Sequence, residues 1–205
     1  MQITSISEAL LRPLPGQAAQ LQMAPPYREP MDMQLILQRQ PRLGGVLLLL
    51  VEKEKNLEIV FTRRMEYAGV HSGQISFPGG KQEPDDIDLT ATALRETQEE
   101  IGVDPSMLQV LGRLSELYIP PSNFLVYPSV AYASQPLEFK AQEREVREIF
   151  TIPVHFFLQP ENRRTTMIPF ANGNTLEVPA FIFGDAVIWG ATAIILSEFV
   201  AVLQS

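Results

Sequence analysis

Glu96, Glu99 and Glu100 stand at i, i+3 and i+4 in the run Leu94-Arg-Glu-Thr-Gln-Glu-Glu-Ile101. On a helix that spacing puts three carboxylates on one side, about one turn apart. Leu94, Thr97 and Ile101 fall on the other side, where a core can take them. Like charges so spaced oppose an isolated helix by roughly 0.2–0.5 kcal/mol per pair. A hard divalent cation reverses that sign, since Mg²⁺ and Mn²⁺ prefer carboxylate, carbonyl and water oxygens. The plain alternative is a solvated acidic face. The surroundings favour a site. Gly79 and Gly80 supply a turn of permissive backbone. Arg95 sits beside the cluster, and Gly102 follows the last helical turn, where a left-handed cap is expected.

The elements that must hold these residues are legible in outline. The carboxylate helix is expected from about Leu89 to Ile101, with Asp88 as its N-cap. Gly45–Val51 is a continuous apolar run and reads as a buried strand. A polar turn, Lys53–Asn56, joins it to a second strand, Leu57–Thr62, in a hairpin. Gln74–Phe77 is a short strand before the glycine turn. Met107–Leu117, Leu125–Ala133 and Val146–Ile152 read as further strands. Thr165–Ile168 and Leu176–Phe183 read as a hairpin about Asn172-Gly173. A final helix is expected from about Val187. Residues 1–40 carry Pro13, Pro15, Pro25, Pro26 and Pro30, so beyond a short helix at Ser5–Leu11 little regular structure is expected there. The reading is a Pro-rich N-terminal arm, 1–40, lying on the domain, on a partner in a homodimer, or free, followed by one domain, 41–205. Interleaved helices and hairpins imply an α/β (α+β) class with a mixed sheet.

Residues 77–103 resemble the Nudix box, Gly-x5-Glu-x7-Arg-Glu-hydrophobic-x-Glu-Glu-x-Gly-hydrophobic. Gly80 takes the first glycine, and Arg95, Glu96, Glu99, Glu100, Gly102 and Val103 take the C-terminal half in that spacing. Asp86 replaces the first-half Glu, one residue further from Arg95 than the pattern has it, and Thr97 replaces an apolar residue. Upstream, Thr62-Arg-Arg64, Gly73 and Phe77-Pro-Gly-Gly-Lys81 are similar to the signature of the coenzyme A pyrophosphatase branch of that family. Val60 and Phe61 replace two leucines, Met65 replaces a small residue, and Gly69 stands where a second Arg would be. The similarity continues through Ile119-Pro-Pro-Ser122 and Ile188-Trp-Gly-Ala-Thr-Ala193.

The resemblance implies an α/β/α sandwich with the carboxylate helix on one face. It implies a metal-dependent hydrolase, with Mg²⁺ or Mn²⁺, that cuts the diphosphate of coenzyme A to adenosine 3′,5′-bisphosphate and 4′-phosphopantetheine. ADP-ribose or another nucleoside diphosphate derivative is the alternative substrate. A nucleotide-binding module without turnover is the alternative class. Glu96 and Glu100 would be the main metal ligands. Glu99 would ligate a second ion or accept a proton from the attacking water, and the Gly80 carbonyl would be a backbone ligand. Arg95 would fix a glutamate. Arg64 and Lys81 would hold substrate phosphate. Asp86, one methylene short in a longer loop, is expected to fix the loop rather than to ligate.

Composition bounds the rest. The 205 residues carry a net charge of −8, which argues against nucleic acid or an anionic membrane as partner. An anionic small-molecule substrate remains compatible, because a bound cation and local Arg or Lys override the global field. There is no cysteine, so disulfides, thiolate metal sites and a nucleophilic Cys are excluded. A reducing cytoplasm fits, and Met1–Ser5 opens no signal peptide pattern. Ala186–Leu203 is apolar but interrupted by Gly190, Thr192, Ser197 and Glu198, which reads as a buried helix. No P-loop or Gly-x-Gly-x-x-Gly is present. His71 lies near the box and is a candidate substrate contact, whereas His155, Tyr118, Phe124 and Trp189 read as packing residues. Ser122 and Asn123 suggest a loop beside a pocket.

Overall fold

Leu47–Leu50 lie inside a 12-residue strand and are fully buried. A strand covered on both faces reads as a continuous apolar run because neither side meets water. The computed structural model describes residues 2–28, 30, 32–65, 73–169 and 175–205. Gly69, His71 and the expected turn at Asn172-Gly173 lie outside the described residues.

In chain order the elements are α1 (Ile3–Leu10), α2 (Gln17–Gln20), α3 (Met33–Gln38), β1 (Arg42–Lys53), β2 (Asn56–Arg64), β3 (Ile75–Ser76), β4 (Gly79–Lys81) and α4 (Leu89–Ile101). There follow β5 (Leu108–Arg113), β6 (Leu117–Ile119), β7 (Phe124–Ala133), β8 (Val146–Pro153), α5 (Val154–Phe157), β9 (Arg163–Pro169), β10 (Thr175–Phe183), β11 (Ala186–Trp189) and α6 (Gly190–Leu203). β1 runs parallel to β7 and antiparallel to β2 and β4, so the larger sheet is mixed. Its order is β3-β2-β1-β7-β5, with β4 beside β1, β6 beside β7 and β8 beside β2. β9, β10 and β11 make a smaller antiparallel sheet.

Alternation along β1 sets the layers. Leu47, Leu49 and Val51 pack with Val60, and with Ala93 and Ile101 of α4. Leu48 and Leu50 turn the other way, into a core with Phe61, Phe181 and the α6 residues Ile195 and Phe199. The class is α+β, an α/β/α sandwich with α4 and α6 on opposite faces.

α4 has the expected limits. Asp88 accepts a hydrogen bond from the Ala91 amide at 2.8 Å, and Gly102 closes the helix at φ +74°. Thr97 is buried, and its hydroxyl donates to the Ala93 carbonyl at 2.6 Å. A satisfied hydroxyl explains how it replaces an apolar residue there.

Four sequence expectations are corrected. Met107–Leu117 is not one strand: β5 ends at Arg113 and the chain bends before β6, because the Ser115 amide is drawn to the Glu198 carboxylate. Val187 does not open the last helix. Ala186–Trp189 pairs with β10 first, burying Ala186 and Ile188, and the helix begins at Gly190. The proline-rich segment holds two short helices, because its prolines flank α2 and α3 rather than enter them. Ile6, Leu10 and Met23 from this segment are core residues. α6 is buried nearly all round. Among the described residues no helix is long and apolar enough to cross a membrane. His155 is exposed on α5 rather than packed, and Trp189 is half-buried.

Candidate active site

β4 and α4 make the site between them. Gly80 stands opposite Gly45 in the β1–β4 ladder and turns its Cα toward α4. A Cβ there would lie 2.5 Å from either carboxylate oxygen of Glu96. Only glycine lets a carboxylate rest on the strand backbone in this way. One turn further along α4, Glu100 accepts a hydrogen bond from the Gly79 amide at 3.3 Å. Two carboxylates therefore meet the backbone of Gly79-Gly80.

Their burial differs from that of the third. Glu100 is 5% exposed and the Glu96 side chain 16%, whereas the Glu99 side chain is 59% exposed. Burial pushes Glu100 up to about 7. The Arg64 charge and the Gly79 amide pull it down, and Glu96 and Glu145 push it further up. Glu96 is raised too, by burial first, against the pull of Arg95. Arg64 ends β2 with its Nε buried and, among the described residues, without a hydrogen-bond partner.

Arg95 is the hub of the outer side. Its Nε and Nη2 grip both oxygens of Asp86 at 3.0 and 3.1 Å. Nη2 also lies 3.1 Å from Glu96 and donates to the Lys81 carbonyl at 3.0 Å, while Nη1 donates to Glu99 at 3.2 Å. Asp86 accepts further bonds from the Glu83 amide and the Thr92 hydroxyl, both at 2.9 Å. The Arg95 hydrogen bonds are the main reason its carboxyl is held at about 2, and they raise Arg95 in turn. At the N-terminus of α4, Arg113 donates to Asp88 and Thr90.

The structure thus brings Glu96, Glu100, Gly80 and Arg64 together, and sets Arg95 and Glu99 on their outer side. Lys81 lends its carbonyl to Arg95 and leaves its side chain exposed. Among the described residues no three His, Asp or Glu side chains are grouped closely enough to form a ready-made metal cage. The donor set still suits a hard divalent cation, since two largely desolvated carboxylates face one backbone turn. Tyr118 is buried and donates to Asn123, whose amide donates to the Arg39 carbonyl, so that loop is locked by its own bonds.

Glu145 was missed from sequence. Its charge acts on both Glu96 and Glu100, and the Met65 amide donates to its carbonyl. An acid 45 positions beyond Glu100 carries no spacing signal. The Gln142 amide bonding the Glu100 carbonyl and the Lys140 amide bonding the Ile101 carbonyl, both at 2.9 Å, draw that turn to the site.

A family model described as the NUDIX domain matches residues 41–170. A curated relative from Yersinia pestis (strain Pestoides F), named Uncharacterized Nudix hydrolase NudL, is 36% identical over 138 residues, 67% of this chain and 68% of the relative. The protein of the same name from Yersinia pseudotuberculosis serotype O:1b (strain IP 31758) matches to the same extent. The crystal structure of a MutT/nudix family protein from Enterococcus faecalis is similar in fold. Its TM-score is 0.54 at 15% identity, over 85% of this chain and 71% of that one. On the family match and the identity to these relatives, the chain belongs to the Nudix family and is an enzyme, a Nudix pyrophosphohydrolase acting on phosphoanhydride bonds.

Proposed function

We propose that the enzyme cleaves the diphosphate of coenzyme A or its derivatives, with Mg²⁺ or Mn²⁺, to adenosine 3′,5′-bisphosphate and 4′-phosphopantetheine. The observation that carries the chemistry is the pair of desolvated carboxylates, Glu96 and Glu100, laid on the Gly79-Gly80 backbone. The substrate choice rests on the stretch from Thr62 to Lys81, in which the Arg64 charge acts on Glu100 and its buried Nε has no hydrogen-bond partner among the described residues.

Glu96 and Glu100 would hold the ion, with the Gly80 carbonyl as backbone donor and Glu99 as the remaining carboxylate. When bound, a divalent cation neutralises diphosphate charge and makes a water acidic enough to attack. The chain's own groups do the rest. Asp86 clamps Arg95, and Arg95 keeps Glu96 and Glu99 at fixed positions along α4. Glu99 is the exposed carboxylate available to accept the proton of the attacking water. Arg64 takes a non-bridging diphosphate oxygen through a charge-assisted hydrogen bond. The water oxygen bonds to phosphorus, the bridging P–O bond breaks, and its electron pair leaves with the departing phosphate.

One observation favours a second reading, a different nucleoside diphosphate derivative such as ADP-ribose. Gly69 stands where the branch pattern has its second Arg. The test compares kcat/KM for coenzyme A, its 3′-dephospho form and ADP-ribose under one metal condition, with products identified by mass. Preference for coenzyme A supports the first reading, and faster cleavage of ADP-ribose replaces it with the second.

A further inference from the structure

Lys81 is set apart from the carboxylate side of the site. Gly80 turns to α4, so its neighbour Lys81 stands on the opposite face of the sheet, across from Gly44. The open side of Gly44 is filled by the Phe124 ring. Arg42 lies two residues before Gly44 on the same face. Its guanidinium covers the Phe124 ring, 5.0 Å from the centroid, and donates to the Ser122 carbonyl at 2.8 Å. Arg42 and Lys81 are thus diagonal neighbours across an antiparallel pair, about 7–8 Å apart at Cα.

Both side chains are exposed, and among the described residues neither forms an ion pair with a carboxylate. Glu83 continues the β4 register to a place opposite Arg42, yet among the described residues it forms an ion pair with neither cation. Two unneutralised cations side by side repel each other. A dianion between them reverses the sign. A phosphate monoester carries close to two charges near pH 7 and offers three acceptor oxygens. Arg42, held flat on Phe124, presents planar donors, and Lys81 a mobile point charge.

We propose that Arg42 and Lys81 form the subsite for a phosphate monoester on the substrate's nucleoside, separate from the diphosphate that is cut. This rests on the coenzyme A reading and deepens it, since the 3′-phosphate is such a group. Arg64 then serves the diphosphate, and the pair on the other face reads the 3′-position.

The experiment measures the ratio of kcat/KM for coenzyme A to that for 3′-dephospho-coenzyme A in the wild type, Arg42→Ala, Lys81→Ala and the double variant. The same four proteins are titrated with adenosine 3′,5′-bisphosphate and with AMP. Each single change is expected to lower the ratio about tenfold, and to weaken the bisphosphate by a similar factor while AMP shifts far less. A ratio unchanged in Arg42→Ala, or an equal fall on both substrates, overturns the subsite. A wild type that cleaves neither substrate overturns the coenzyme A reading alone. The titrations then decide the subsite: tenfold weaker bisphosphate binding in the variants supports it, and equal binding overturns it.

Discussion

Glu100 is the residue in which burial and chemistry conflict most openly. A carboxylate 5% exposed with one amide donor is stable in the fold only because it is protonated or paired with a cation. Glu100→Gln keeps the shape and removes the charge, so turnover should fall by about a thousandfold if the group binds the ion. The same change has a pH signature without metal. Glu100 titrates near 7 folded against an ordinary value of 4.5, so between those values the folded chain holds a proton that the unfolded chain has lost. Stability therefore falls as pH rises from 4.5 through 7. Metal-free Glu100→Gln should escape that fall and exceed the wild type at pH 8 by on the order of 2 kcal/mol. Urea melts at pH 5 and 8 check this, and parallel curves for the two proteins would remove the burial argument. Asp86 has the opposite sense. Held at about 2, it adds stability that is present above the ordinary carboxylate range and lost as pH falls toward 2. Asp86→Asn should lose about 1–3 kcal/mol at pH 7 by breaking its bonds to Arg95. Its loss of turnover should be smaller than that of Glu100→Gln, and a larger one would make Asp86 a ligand.

Three segments far apart in sequence depend on one another through a single carboxylate. Glu198 on α6 is fully buried. It accepts bonds from the Gly16 amide at 3.1 Å, from Gln20 Nε2 at 2.9 Å, and from the Ser115 amide at 3.2 Å. Ser197 adds a bond to the Ala19 carbonyl at 2.7 Å. The start of the chain, the β5–β6 bend and the last helix are thus pinned at one point. Glu198→Ala would take the acceptor from two partly buried backbone amides and from the buried Gln20 amide, and open a cavity, so a loss of about 3 kcal/mol is expected. Urea denaturation measures it, and a loss below 1 kcal/mol would mean that the pin is dispensable. Turnover at low temperature should survive, because α4 and β4 make no contact with Glu198 through these bonds.

At the scale of the whole molecule, a ligand that binds only the native state stabilises it by mass action. An ion at 100 times its dissociation constant would add about 2.7 kcal/mol. Millimolar Mg²⁺ or Mn²⁺ should therefore raise Tm, more at pH 8 than at pH 5, since the ion competes with the protons on Glu96 and Glu100. Glu100→Gln should lose most of that gain. A wild-type Tm indifferent to both ions would count against the metal assignment. The overall charge of −8 opposes an anionic substrate, so attraction must be local. That is the setting in which Arg64, and Arg42 with Lys81, matter most.

The length of α4, its caps at Asp88 and Gly102 and the one-turn spacing of Glu96 and Glu100 were all determined by the sequence. These depend on helical period and on residues a few positions apart. The burial of β1 followed from an unbroken apolar run. Short apolar runs were less informative, since Ala186–Trp189 suits a strand or a helix until β10 pairs with it. Tertiary structure alone decided that Glu96 and Glu100 turn inward onto Gly79-Gly80 while Glu99 turns out to Arg95. It alone brought Glu145 to the site, Arg42 beside Lys81, and the first twenty residues onto Glu198. Desolvation and charge act through space, and the groups that set them here are joined by sheet register and layer packing rather than by nearness along the chain.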